Sequence, residues 1–196
     1  MLGGERDEAS VTVMLVEGRS DRLAVEALAA RLGHDLAAAG VTIVSMDGVT
    51  NLHRHLGRLA ALPERQRVIG LFDAPELVHV QRAVEELGLG PCGTRDELVA
   101  VGFFACEPDL EGELIRALGV ARMEELLAEH GELARFRRFQ NQPEWRDRAT
   151  DAQLRRFLGT HAGRKARFAP IMIDALDEGR IPAALRALLT AAAGAP

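Results

Sequence analysis

The clearest pattern in the chain is a set of unbroken apolar runs, each followed by polar punctuation and then by apolar residues at helical spacing. Val11-Thr12-Val13-Met14-Leu15-Val16 runs into Glu17 and Gly18, after which Leu23, Leu28 and Leu32 recur along a helix. A continuous apolar run suits a strand buried on both faces. Gly18 is expected to turn the chain and Ser20 to cap the helix. Gly40 then separates off a second strand, Val41–Met46, and Asp47-Gly48 turns into a helix carrying Leu52, Leu56, Leu59 and Leu62, which Pro63 ends. Arg67–Phe72 predicts a third strand stopping at Asp73, followed by a helix from Glu76 to Leu87 and a Gly/Pro/Cys loop over 88–94. Leu98–Cys106 predicts the fourth strand and Asp109–Leu118 the next helix. Strands alternating with helices of this length imply a parallel sheet with right-handed crossovers.

Beyond Gly119 the strand pattern stops. Segments 121–130, 132–141, 151–158, 164–176 and 181–189 predict helices, with breaks near Gly131, Pro143, Gly159 and Gly179. Pro170 should kink or split the fourth of these. The expected plan is an α/β core over 1–119 and a basic, all-helical C-terminal extension over 120–196. At 196 residues, 47% hydrophobic and 27% charged, the chain has the makings of an ordinary globular core. Its two cysteines, Cys92 and Cys106, belong to no spaced cluster, which argues against a disulfide framework or a structural zinc. Met1–Ser10 is polar and acidic, without signal-peptide character, and no apolar run reaches membrane length. The expected location is the cytoplasm, with no membrane partner.

Charge sharpens this plan. Residues 1–119 hold 19 acidic and 11 basic side chains, against 10 and 13 in 120–196. An acidic half joined to a basic one suits a protein that gathers cations at one place and polyanions at another. Of the 24 basic residues only Lys165 is a lysine, which points to a site needing a compact ammonium rather than a planar fork. Three strands finish in acid: Glu17 with Asp21, Asp73 with Glu76, and Asp109 with Glu111. In a parallel sheet these ends share one edge, and carboxylates gathered there repel unless a cation sits among them. Such oxygen-rich sites suit Mg²⁺ or Mn²⁺. Singly, each acid also suits a helix first turn, where it faces the dipole or forms a cap.

Val16-Glu17-Gly18-Arg19-Ser20-Asp21, the acid closing the third strand, Asp109-Leu110-Glu111 and the late Gly163-Arg164-Lys165-Ala166-Arg167 together resemble a Toprim domain. The closest similarity is to the Toprim nuclease region of overcoming-lysogenization-defect (OLD) endonucleases. The resemblance implies a four-stranded parallel Rossmann-like sheet flanked by helices. It also implies that Glu17, Asp21, Asp73, Asp109 and Glu111 bind one or two Mg²⁺ or Mn²⁺ ions, with Glu17 and Lys165 acting in catalysis. The family has Asp-x-Asp after the third strand, whereas Pro75 stands here, so Glu76 is expected to substitute. The implied activity is metal-dependent hydrolysis of nucleic-acid phosphodiester bonds, DNA favoured, by a two-metal mechanism. Arg135, Arg137, Arg138, Arg155, Arg156, Arg164 and Arg167 are expected to grip the nucleic-acid backbone. Trp145 is expected to pack rather than stack on a base. No Gly-x-x-x-x-Gly-Lys-Ser/Thr loop occurs, so the chain is expected to be a stand-alone Toprim or to work with a separately encoded ATPase.

Three other readings compete. A receiver-type signalling domain also places acids at strand ends, but its lysine would follow a fifth strand, and Lys165 lies in a helical pattern. A non-catalytic Toprim that binds nucleic acid without cutting would account for Pro75. A Toprim phosphoryl or nucleotidyl transferase would use the same acids on a small substrate.

Overall fold

A computed structural model describes residues 11–64, 66–161 and 163–194; the acidic stretch 1–10 lies outside them. In order these form β1 (Thr12–Val16), α1 (Arg19–Arg31), β2 (Val41–Ser45), α2 (Leu52–Ala60), β3 (Arg67–Asp73), α3 (Leu77–Glu86), α4 (Arg95–Ala100), β4 (Phe103–Cys106) and α5 (Leu110–Leu118). The chain continues through α6 (Val120–Glu129), α7 (Leu133–Gln140), α8 (Thr150–Leu158), α9 (Arg164–Asp174) and α10 (Ala183–Ala192). The four strands make one all-parallel sheet in the order β2-β1-β3-β4. All four carboxyl ends therefore lie along one edge.

The unbroken apolar run of β1 has a physical reason in this topology. Met14 and Val16 face one core cluster, built with α1, α5 and the later helices, while Val13 and Leu15 face the other, built with α2, α3 and α4. A strand covered on both sides has no position left for alternation. The larger cluster runs from Met14 through Leu114, Phe136, Phe157 and Phe168 to Leu188, so segments on both sides of Gly119 share one core.

Several expected details differ. The fourth strand is only Phe103–Cys106, because 95–100 is helical: Thr94 accepts from Glu97 N–H at 3.2 Å while Glu97 accepts from Thr94 N–H at 3.0 Å. That reciprocal cap starts a helix through Leu98 to Ala100, in which Leu98 is buried and Val99 faces outward. Gly18, rather than Ser20, precedes the first helix and has extended backbone (φ −144°), so no left-handed turn is needed there. Helix α9 stays continuous through Pro170. Trp145 packs, stacked on Phe139 with ring centroids 5.3 Å apart.

Candidate metal centre and nucleic-acid interface

Each acid at the sheet edge is placed by a strand end or a helix start. Glu17 follows β1, with its backbone carbonyl accepting Gly48 N–H at 3.0 Å. Asp21, in the first turn of α1, accepts Gly18 N–H at 2.9 Å. Asp73 ends β3 and accepts Leu110 N–H at 3.3 Å. Asp109 caps α5 by accepting Gly112 N–H at 2.7 Å, and Glu111 sits in the turn it begins. Lys165 reaches in from the first turn of α9, its Nζ 2.8 Å from Glu111 Oε2. Glu17, Asp21, Asp73, Glu111 and Lys165 thus line one cleft of about 170 Å³, together with Ser20 and Asp47. Helix α9 lies alongside α1. Arg31 at the tail of α1 donates to the Ile173 carbonyl at the tail of α9, at 2.6 Å. With Asp21 and Lys165 at their heads, the two helices run parallel, so α1, α5 and α9 all start at this cleft.

The electrostatics follow from crowding carboxylates in a half-buried place. Burial, then the charges of Glu17, Asp21, Asp109 and Glu111, push Asp73 up to about 8. Burial, then Glu111, lift Asp21 to about 6 even though backbone N–H groups favour its charged form. Glu17 is raised by burial and by Glu76, with Lys165 opposing. Burial alone would lower Lys165, but Glu111, with Asp109 and Asp73 behind it, holds the ammonium above its ordinary value. Among the described residues Glu17 Oε2 is one of two buried carboxylate oxygens without a hydrogen-bond partner, the other being on Glu113.

An all-oxygen donor set with excess negative charge and an orphaned carboxylate oxygen fits Mg²⁺ or Mn²⁺. Yet among the described residues no three His, Cys, Asp or Glu side chains stand ready-arranged around an ion. Each acid is instead held by a protein donor: Asp21 by Gly18, Asp73 by Leu110, Glu111 by Lys165, and Asp109 by Gly112 and Arg155.

Not every expected site residue joins the cleft. Glu76 is near enough for its charge to act on Glu17, but it does not line the cleft and lies 3.8 Å from His79 Nε2. Asp109 also stands outside, turned toward Arg155. Asp47, which lines the cleft, was missed as a site residue; its position at the end of β2 was the available clue.

Among the seven arginines, Arg164 is corrected outright. Its side chain is 6% exposed, lies 4.0 Å over the Phe157 ring and pairs with buried Glu132 at 3.1 Å, so it cannot meet a nucleic-acid backbone. Arg155 is committed to Asp109. Arg137 makes two bonds to Glu124, at 2.7 and 2.6 Å. Arg135 and Arg167 rim a pocket over Glu132 with half or more of each side chain exposed. Arg138 and Arg156 are exposed.

The Toprim-domain model of overcoming-lysogenization-defect-like proteins matches residues 10–71. No curated protein matches the chain. Among solved structures, the C-terminal region of the Xanthomonas campestris pv. campestris OLD protein is 26% identical with a TM-score of 0.70, over 94% of this chain and 95% of that one. The C-terminal region of the Burkholderia pseudomallei OLD protein also superposes with a TM-score of 0.70, at 19% identity, over 94% and 98% of the two chains. The four-stranded parallel sheet, its flanking helices and the helical C-terminal part follow that α/β architecture. The chain carries a Toprim domain resembling that of OLD proteins.

Proposed function

We propose that this protein is a divalent-metal-dependent nuclease that hydrolyses phosphodiester bonds, with DNA as the favoured substrate. The observation that carries the reading is the convergence of Glu17, Asp21, Asp73 and Glu111 with the only lysine of the chain in one cleft at the carboxyl edge of the sheet. Likeness to OLD C-terminal regions supports the same class of activity. Glu17, Asp21 and Asp73 would hold Mg²⁺ or Mn²⁺, which when bound would supply Lewis-acid chemistry for water attack on a phosphodiester.

The remaining work falls to the chain itself. Lys165 Nζ, already drawn into the cleft by Glu111, faces the phosphate oxygens and offsets the charge that builds on them. The exposed guanidinium groups of Arg135, Arg138, Arg156 and Arg167 position the backbone without reading sequence. Glu17→Ala should lower Mn²⁺-dependent plasmid nicking at least about a hundredfold, with unchanged far-UV circular dichroism. Nicking at the wild-type rate would sink the assignment.

The second reading is a Toprim module that binds nucleic acid without cutting it. Pro75, with no side-chain donor where the family pattern has an acid, favours it. Tight DNA binding with no cleavage in Mg²⁺ or Mn²⁺ would decide for it.

A further inference from the structure

We propose that the cleft takes a single divalent ion, and that the Arg155 guanidinium is the fixed cation standing where a second ion would neutralise Asp109. The inference rests on the divalent-ion reading above and deepens it. Both oxygens of Asp109 are already bound: Oδ1 accepts Gly112 N–H at 2.7 Å and Oδ2 accepts Arg155 Nε–H at 2.5 Å. Its side chain is 9% exposed, and it does not line the cleft. To reach Asp109, an ion would have to displace a helix cap and a charge-assisted hydrogen bond together, and the latter is among the stronger kinds.

The donors of the family pattern for a second position are also diminished: Pro75 has no ligating side-chain atom, Glu76 sits outside the cleft beside His79, and one Glu111 oxygen, Oε2, is taken by Lys165. Arg155 balances Asp109 and Lys165 balances Glu111, so neither of these acids needs an ion to offset its charge. Arg155 is suited to the part. Arginine stays protonated at any working pH, and α8 is fastened beside α5 by Leu154, Phe157 and Leu158 in the same core as Leu110 and Leu114.

The test is Mn²⁺ binding to the full chain without substrate, counted by electron paramagnetic resonance of free Mn²⁺ and by calorimetry. Wild type should take up one ion through the millimolar range. Arg155→Met, which keeps the aliphatic stem but removes the charge, should take up a second, and Arg155→Lys, which keeps a cation, should stay at one. Two ions in wild type with affinities within about tenfold, or Arg155→Met remaining at one, would overturn the proposal. Should Arg155→Met not fold, the wild-type and Arg155→Lys counts still decide. No ion bound at all would remove the divalent-ion reading as well, whereas two bound ions would remove only this inference.

Discussion

Asp73 and Asp21 show most directly what the cleft costs when it has no ion. Both carboxyls titrate above the ordinary value of about 3.9, near 8 and 6, because burial and neighbouring carboxylates disfavour their charged forms. The folded state therefore binds these protons more tightly than the unfolded chain. The stability they contribute is complete below about pH 4 and is lost as pH rises through about 6 and then about 8. With chelator present, thermal denaturation should show a Tm falling by about 5 °C between about pH 5 and 8.5, the effect of roughly 2 kcal/mol once solvent screening is allowed for. Mn²⁺ added at the upper pH should restore it. A chelated protein whose Tm holds level or rises across that window would count against the crowded cleft. These two aspartates were readable in the sequence because strand ends are readable. Arg155 as the partner of Asp109 was not, since 46 residues separate them and only the packing of α8 on α5 brings them together.

At the scale of elements, apolar continuity identified β1, β2 and β3 because these strands are short and set off by glycine or acid, even though β2 lies at the sheet edge and is buried only at Val41. The same criterion misled at Leu98–Val101, where the deciding signal was the Thr94/Glu97 cap rather than hydropathy. Helix starts also fix the site, and α5 gives a sharp case. A Cβ on Gly112 would lie 2.8 Å from Pro108 Cδ and 3.0 Å from Asp109 Oδ1, so alanine there must push the cap aside. Helix propensity favours alanine by about 1 kcal/mol, but overpacking and a lost cap together cost about 2–3 kcal/mol. Gly112→Ala should therefore destabilise by about 1–2 kcal/mol in urea denaturation. Gly57, within α2 with nothing near its missing Cβ, is the contrast. Gly57→Ala should stabilise by roughly 0.5–1 kcal/mol, and equal effects at the two glycines would refute the steric argument.

At the scale of the whole molecule, the charge asymmetry visible in the sequence resolves into two separate arrangements. The acids of the first half meet at the sheet edge. Among the basic residues of the second half, Arg138 and Arg156 face outward, Arg164 is buried against Glu132, and Arg135 and Arg167 meet the same Glu132 from the exposed side, so that it joins α7 to α9 as a hub. Glu132→Ala leaves the 6%-exposed Arg164 without its carboxylate and should cost about 3–5 kcal/mol. Arg135→Ala, which removes an exposed partner, should cost less than about 1 kcal/mol. Comparable losses for the two in chemical denaturation would mean that burial is not what gives the hub its weight. Sequence counting could not separate these roles, because a buried arginine and an exposed one read alike until the core around Phe157 is known. The proposed DNA affinity, if carried by exposed arginines, should fall steeply with added salt, and a flat salt response in a fluorescence anisotropy titration would remove the backbone-gripping role.

The common starting point of α1, α5 and α9 has a further consequence. Each helix N-terminus carries backbone N–H groups equivalent to roughly half a positive charge, several of them met here by Asp21, Asp73 and Asp109. Three of them directed at one cleft form a counter-charge that belongs to no side chain. It helps hold the crowded carboxylates in their charged forms. Being peptide, it survives every side-chain substitution at the cleft, so it goes on opposing carboxylate repulsion in variants stripped of Lys165 or Arg155.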